Sequence, residues 1–350
     1  MNVAVFLYFV VSSFLLDRQL NRTIIGLSYI GGLLIFLFMA LRYGYGNDYF
    51  NYANLHAYYH DYGVGEFSFE SFYKELNLIS ADFQFVILVH SLFFMFAFLL
   101  LGKVLRRLGC NLSVVALLFF LNPYLYLIHI TALRQSMAIC VFVLLVSLFL
   151  MYRRYLFVVL AITLPMFFHK AAIVYLVFIP LVFLFERIYA ARWHHKTIFL
   201  AVSVYLVAMF FDYELAGILV KYRVYVESSL GGPISITSLL YFLLLVFLFL
   251  TSKPCEVLDA ESERIYKILH ALVLISLTLS AFALYFPLFS RVSLFFDFFI
   301  PFYFACSRFL IPRYFAYISL ILVYLIRNYT FLNTEIYGNG FGAYRIFLFP

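Results

Sequence analysis

Three basic residues, Arg134, Lys170 and Arg291, stand beside apolar stretches at positions that membrane orientation does not explain. Each lies near the N-terminal end of a predicted helix, and the helix dipole makes that end partially positive. A cation there is locally unfavourable, whereas several such ends that converge form a strong anion site, and a bound anion would resolve the conflict. The alternative is that each cation reaches lipid phosphates or pairs with an acid such as Asp48 or Asp297. Asp297 lies inside a predicted span, where we expect it to pair with a buried cation.

Two residues could supply a base beside such an anion, His169 and Asp48. His169 precedes Lys170 between two apolar runs, where it could accept a proton, donate to a phosphate or be an ordinary helix-end residue. Asp48 follows a Gly-rich stretch that starts at Arg42, and its carboxylate could orient a hydroxyl group or take its proton. Tyrosines crowd this stretch, and their rings could stack on sugars or form an interfacial belt.

No motif for nucleotide or metal chemistry is present in the sequence. It has no Gly-rich phosphate loop, no Asp-x-Asp pair, no His-Glu-x-x-His and no Gly-x-Ser-x-Gly. The four cysteines, Cys110, Cys140, Cys255 and Cys306, lack metal-ligand spacing. We therefore expect no cofactor, no metal ion and no disulfide.

The elements that position these residues must be membrane helices. Hydrophobic residues make up 66% of the 350 residues and charged residues only 12%, whereas a soluble domain carries about 25% charged residues. The apolar runs are continuous instead of alternating, which predicts an all-α polytopic bundle. The formal net charge of +7 comes from basic residues in short loops, so it indicates topology and no nucleic acid partner.

The apolar runs predict about twelve transmembrane helices in a single domain, residues 1–350. Their centres fall near residues 10, 32, 92, 120, 142, 161, 178, 204, 243, 276, 300 and 320. The basic short loops, including the one with Arg264 and Lys267, share one side, which the positive-inside rule makes cytoplasmic. The outer side then receives the loop 42–82 and the tail 329–350. The runs near 161 and 178 are short, so they are either two full crossings or a bent, partly re-entrant pair.

The second half of the outer loop predicts an amphipathic helix on the membrane surface. Between Glu66 and Ser80, apolar residues recur at helical spacing, namely Phe69, Phe72, Leu76 and Ile79. On its other face we expect Glu70 to pair with Lys74, four residues later. We expect Lys74 to be solvated.

The order of these motifs resembles the EpsG and Wzy-type polymerases that build O-antigen or exopolysaccharide in bacterial envelopes. The resemblance covers nearly the whole chain. It rests on Arg42-Tyr-Gly-Tyr-Gly-Asn-Asp48-x-x-x-Tyr52, Asn122-Pro123, Leu133-Arg134-Gln135-Ser136-x-Ala138, Phe168-His169-Lys170-x-Ala172, Arg291-x-Ser293 and a tail with Ala343-Tyr344-Arg345.

The resemblance implies a glycosyltransferase that moves a growing glycan from undecaprenyl pyrophosphate to a sugar hydroxyl of an incoming lipid-linked repeat unit. The site would face outward from the bacterial inner membrane, with lipid and a chain-length regulator as further partners. On this basis the pyrophosphate would be bound by Arg134, Arg291, Lys170 and Arg345. His169 or Asp48 would be the base, and the substrate would be bound by Arg42, Tyr49, Tyr52 and Tyr344. Arginine suits the pyrophosphate because its guanidinium binds phosphate oxygens bidentately.

Three other functions stay open at this level. A flippase or transporter for lipid-linked oligosaccharides would need ionisable groups at mid-membrane depth and on both sides. The unexplained cations cluster near the outer face instead, which favours a one-sided active site. An O-antigen ligase or a membrane O-acyltransferase would also act at the outer face. Each would differ from a polymerase only in the substrates that it uses.

Overall fold

The structure is a computed structural model, and it describes residues 36–46, 48–63, 70–188, 236–254, 258–284, 288–332 and 345–346. In these ranges the chain is helical, with short turns and two-residue strands. The chain divides into two compact units, Met1–Leu176 with Asn328–Pro350, and Val177–Arg327. The single transmembrane domain over residues 1–350 stays a prediction.

The first unit contains the candidate site. Its elements in chain order are β1 (Arg42–Tyr43), α1 (Tyr49–Tyr62), α2 (Ser71–Ile79), α3 (Phe83–Leu105), a 3-10 turn (Arg106–Leu108), α4 (Leu112–Leu121), α5 (Pro123–Tyr126), α6 (Ile128–Thr131), α7 (Leu133–Tyr152), α8 (Tyr155–Thr163), two 3-10 turns (Leu164–Phe167 and Lys170–Ile173), the start of α9 (Val174–Ile188) and β4 (Arg345–Ile346). Helix α7 packs against α3 and α8 and is buried over most of its length.

Local sequence sets the boundaries of these helices. Asp82 is the N-cap residue of helix α3, and its carboxylate accepts a hydrogen bond from the Phe85 backbone N–H at 2.7 Å. Pro123 cannot continue the hydrogen bonding of α4, and the helical segments Val114–Leu121 and Tyr124–Thr131 meet at 86°. This bend comes directly before α7, so it determines where the first turn of α7 lies.

The second unit consists of the rest of α9 and six further elements. They are α10 (Ile236–Thr251), β2 (Lys253–Pro254), α11 (Ala260–Ala283), α12 (Leu288–Asp297), α13 (Phe299–Ala305), β3 (Ser307–Arg308) and the greater part of α14 (Arg313–Leu332). Its core includes the buried Tyr303 hydroxyl, which lies 2.5 Å from Ser252 Oγ and 2.6 Å from His270 Nδ1. These contacts give the buried Tyr303 hydroxyl hydrogen-bond partners inside the core, as expected for a polar group at this depth.

The protein is helical and membrane-embedded, but the expected number of crossings is not reached in the described ranges. Three helices there are long and apolar enough to span a membrane, Phe83–Leu108, Leu133–Tyr152 and Ala260–Ala283, or up to four if the bent pair is one span. The apolar runs near 161 and 243 form the shorter helices Tyr155–Phe167 and Ile236–Thr251. The predicted centres near 10, 32 and 204 lie outside the described residues. The count of twelve therefore stays a prediction.

The amphipathic helix of the outer loop is present as α2, and its inner face is polar. Tyr73, Lys74 and Asn77 are buried, whereas Phe72 and Ile79 are exposed. The expectation that Lys74 is solvated was wrong, because α2 packs its polar side against α1 and α3. An outward apolar face is the arrangement expected of a helix that lies on a membrane surface.

Candidate active site around Glu70

A single carboxylate, that of Glu70, joins two of the residues singled out from the sequence. Glu70 is the N-cap residue of α2. Its Oε2 lies 2.5 Å from Arg134 Nη1, and its Oε1 lies 2.7 Å from His169 Nδ1. The side chains of Glu70, His169 and Arg134 are 12%, 26% and 38% exposed, so a ligand could reach the cluster from one side.

Apolar packing brings Glu70 and His169 together. His169 has an extended backbone between the 3-10 turns Leu164–Phe167 and Lys170–Ile173. The Phe72 ring of α2 stacks on Phe167 at 5.0 Å and meets Phe168 edge-on at 5.6 Å. Since these rings adjoin both polar residues in sequence, their packing fixes the distance between the carboxylate and the imidazole.

Buried hydrogen bonds fix the start of α7, where Arg134 is the second residue. The Ser136 hydroxyl lies 2.6 Å from His90 Nε2 on α3 and 2.5 Å from His129 Nδ1 on α6. All three residues are buried. Because unpaired polar groups at this depth are costly, the contacts hold α3, α6 and α7 in one register. Arg134 therefore projects from a rigid helix end.

Tyrosine rings line the inner side of the cluster. The Arg134 guanidinium carbon lies 5.7 Å from the centre of the Tyr52 ring, which meets the Tyr73 ring edge-on at 5.9 Å. Burial raises the pKa of Tyr52, although the positive charge of Arg134 acts in the opposite direction. Tyr59 is half-buried and close enough to interact electrostatically with Arg134 and Glu70.

Glu70 is held in its ionised form. Burial is the largest single influence and acts to raise the pKa of this carboxyl group. The hydrogen bond from His169, together with the charge and hydrogen bond of Arg134, outweighs burial and lowers the pKa below its ordinary value. An ionised carboxylate only accepts hydrogen bonds, so His169 Nδ1 must carry the proton. In the neutral imidazole with this proton on Nδ1, Nε2 is the atom that carries the lone pair and the one that would accept a proton.

The Arg134 guanidinium has a further N–H donor besides the one that contacts Glu70. Its Nε atom is buried and makes no hydrogen bond to any part of the chain that the structure describes. A buried donor without a partner is costly, and an oxygen-rich anion would relieve that cost. Lys170 follows His169, is exposed, and interacts electrostatically with Glu70. The cluster thus combines a proton acceptor with two cations.

Two other candidates from the outer loop, Arg42 and Tyr49, are buried beneath it. Arg42 is buried, and its guanidinium donates to the carbonyl oxygens of Met39 at 3.0 Å and Ile130 at 3.3 Å. Tyr49 is also buried, with its ring edge-on to Phe83 at 5.3 Å. Both side chains support the loop from inside, and their contact with substrate stays a prediction.

Asp48 is the N-cap residue of α1, where its carboxylate accepts a hydrogen bond from Asn51 at 3.4 Å. Its electrostatic influence reaches Tyr52.

Asp297, at the end of α12 in the second unit, was expected to pair with a buried cation. Its carboxylate accepts hydrogen bonds from the hydroxyls of Ser276 and Ser293, and the buried Arg327 is near enough to act on it electrostatically, which agrees with that expectation.

The remaining candidates are placed only in part. Strand β4 pairs antiparallel with β1, and Tyr43 is opposite Arg345, so the chain returns to the outer loop at this point. The Arg345 side chain and Tyr344 lie outside the described residues. Arg291 is exposed in the first turn of α12, in the second unit. Arg134, Lys170 and Arg291 do lie near helix N-termini, as the sequence predicted. That Arg291 lies close to the other two cations stays a prediction.

Glu70 is the residue that sequence reasoning missed. It was expected to pair with Lys74 on the same helix, yet its two oxygens contact residues of α7 and of the turn after α8. A signal was present, because the outer cations needed an acid and the outer loop is rich in acids. In the described ranges, no group of three His, Cys, Asp or Glu residues could hold a metal ion.

Comparison with known proteins gives one match. No curated protein and no solved structure matches the chain. A model of the EpsG family matches residues 25–345, which include every residue of the cluster. The chain belongs to the EpsG family.

Proposed function

We propose that this protein is a polysaccharide polymerase that transfers a growing glycan from undecaprenyl pyrophosphate to a sugar hydroxyl of a lipid-linked repeat unit. Membership of the EpsG family associates the chain with polymerase-type activity on polysaccharides. The observation that carries the specific reaction is the contact of one ionised carboxylate with both a guanidinium and an imidazole. Such a cluster can bind a leaving anion and accept a proton at the same place.

His169 and Glu70 would act on the acceptor. The acceptor hydroxyl oxygen attacks the anomeric carbon of the glycan while His169 Nε2 takes the hydroxyl proton. Glu70, hydrogen-bonded to Nδ1 at 2.7 Å, stabilises the imidazolium that forms. His169 is favoured over Asp48 as the base because the carboxylate that orients it also contacts Arg134.

Arg134 and Lys170 would act on the donor. As the new glycosidic bond forms, the bond between the anomeric carbon and the phosphate oxygen breaks, and its electron pair stays on the pyrophosphate. Cations placed where this charge develops lower the barrier. The donor already carries its leaving group, so the proposed reaction consumes no nucleotide. Arg291 and Arg345 are further candidates for the second phosphate.

The substrates suggest where the reaction takes place. Undecaprenyl carriers are held in the bilayer, and we infer that the cluster faces the outer side of the inner membrane. This side is inferred because the basic segments between the apolar runs, including the start of α11 with Arg264, belong to the opposite side by the positive-inside rule. A chain-length regulator is a further partner that this activity would require for products of defined length.

Purified protein supplied with the lipid-linked repeat unit alone tests the proposal. We expect a ladder of lengthened, lipid-linked products without nucleotide, metal ion or acyl donor. No lengthened product from that substrate would overturn it. Dependence on an acyl donor would assign an acyltransferase, and transfer only to an unrelated acceptor would assign a ligase. Movement of intact units across vesicles without lengthening would assign a flippase.

A further inference from the structure

Two large aromatic side chains near the end of α1 are exposed. Tyr58 is 54% exposed and Tyr62 is 75% exposed. Their ring centres lie 5.0 Å apart, and the ring planes are tilted by 34°. Two adjacent exposed rings form a larger apolar surface than a single surface tyrosine and require an explanation.

The rings continue a path that starts at the candidate active site. Tyr59 interacts electrostatically with Arg134 and Glu70. Its ring centre lies 6.4 Å from that of Tyr58, which in turn neighbours Tyr62. Each step is comparable to the length of one sugar along a glycan. Helix α1 therefore carries three neighbouring tyrosines, one within electrostatic range of the cluster and two on the exposed surface.

Polar side chains accompany the exposed rings. Asn54 precedes Tyr58 by one helical turn, and Asp61 follows Tyr58 by nearly one turn, so they share its face. Both are exposed. Amide and carboxylate groups can hydrogen-bond to sugar hydroxyls, whereas an exposed carboxylate is costly on a surface that faces lipid tails. This composition favours a sugar over the bilayer as the occupant.

We propose that this face of α1, formed by Asn54, Tyr58, Asp61 and Tyr62, binds the sugar residues of the growing glycan. The proposal rests on the function proposed above and assigns the part of the substrate that lies beyond the reaction centre. The rings stack on the C–H faces of successive sugars, and the polar groups bind their hydroxyls. A long glycan is then retained between additions, while a single repeat unit is too short to use the surface.

Replacing both rings tests this assignment. In the double variant Tyr58→Ala, Tyr62→Ala, the first addition to a single repeat unit should stay within about twofold of the wild-type rate. The KM for donors that carry several repeats should rise about tenfold, because two stacking contacts are lost. Products should become shorter. Tyr58→Phe with Tyr62→Phe should restore both values, and Tyr155→Ala, which alters a tyrosine of 65% exposure on α8, should change neither.

Binding of oligosaccharides, released by mild acid from the lipid-linked products, gives a second measurement. Wild type should bind them about tenfold more tightly than the double alanine variant. An unchanged product ladder and unchanged oligosaccharide binding in that variant would overturn the assignment while leaving the polymerase proposal intact. Loss of the first addition in a variant with wild-type melting temperature would also overturn it. Absence of any ladder from wild type counts against the function itself.

Discussion

In the part of the chain that the structure describes, two pairs of arginine and glutamate have the same closest distance and different geometry. In the second unit, Glu186 Oε1 lies 2.5 Å from Arg264 Nε and Oε2 lies 3.5 Å from Nη2, so one arginine engages both oxygens. In the first unit, Glu70 offers only Oε2 to Arg134, and its Oε1 contacts His169. The first arrangement pairs one cation with one anion. The second connects a cation to a proton acceptor.

Membrane topology explains one pair and not the other. Arg264 lies near the start of α11, on the side predicted to be cytoplasmic, where arginine is expected. Arg134 lies at the start of α7, on the side predicted to be outer, where membrane orientation does not explain a cation. We infer that Glu186 and Arg264 stabilise the fold and that Glu70 and Arg134 serve the reaction. Changes at Glu70 and Arg134, each matched by the same change at Glu186 or Arg264, separate these two roles.

The largest effect is expected for Glu70→Gln. Glutamine keeps the size of the side chain and removes the charge that orients His169 and stabilises its imidazolium. The rate of repeat-unit transfer should fall by about 100-fold or more, which is typical of losing general-base catalysis. The matched change, Glu186→Gln, should leave the rate within about threefold, because that pair contacts no reacting group. Equal losses in the two variants would remove the distinction between the pairs.

Arg134→Lys should give the next largest loss. Lysine retains the positive charge and lacks the planar fork of donors that binds phosphate oxygens. We expect the kcat of transfer to fall by about 30-fold to 100-fold, since the interaction strengthens as charge develops on the leaving group. Arg264→Lys is the control, with kcat close to wild type. A kcat unchanged by Arg134→Lys would contradict a role of the guanidinium in the transition state.

Stability should depend on pH through Glu70. Its pKa is lower in the folded protein than its ordinary value, so its ion pairs stabilise the fold above the ordinary pKa. That stabilisation is lost as the pH falls through the lowered pKa. Wild type should melt about 2 °C or more above Glu70→Gln at neutral pH, and the gap should narrow in acid. A gap that is independent of pH would show that Glu70 acts through packing alone.

The smallest effect is expected for Tyr52→Phe. The ring remains under the Arg134 guanidinium, whose carbon lies 5.7 Å from the ring centre, and only the hydroxyl is removed. The transfer rate should fall by about twofold to fivefold, as expected for loss of a modest polar contact. Tyr52→Leu, which removes the ring, should cost more. Similar rates for the two variants would show that the ring does not hold the guanidinium.

Sequence reasoning identified the residues with unusual local positions and missed those defined by distant contacts. Arg134 and Lys170 stand out because they are cations at helix starts that membrane orientation does not explain, and His169 stands beside Lys170 between two apolar runs. Glu70 does not stand out, since 64 residues separate it from Arg134 and 99 from His169. No periodicity within one helix specifies such a pairing.

The fold shows the same division between local and distant information. The apolar run near residue 120 is predicted as one span, and the structure bends it by 86° at Pro123, a local effect because proline cannot continue the hydrogen bonding of the preceding helix. The burial of Arg42 and Lys74 could not be predicted, because it depends on which elements cover them. The inward face of α2 is polar for the same reason. Composition predicts a membrane helix bundle, whereas the number of full crossings depends on how apolar runs divide into shorter helices.

Binding and turnover measured together on undecaprenyl pyrophosphate test the central claim most directly. Glu70 competes with the lipid phosphate for the Arg134 guanidinium, so Glu70→Gln should bind this lipid as tightly as wild type or more tightly while losing transfer. Arg134→Ala should lose about tenfold or more in affinity, and Arg264→Ala should lose none. If Arg134→Ala binds the lipid with wild-type affinity, or if Glu70→Gln loses affinity in proportion to rate, the cluster does not bind the pyrophosphate as proposed.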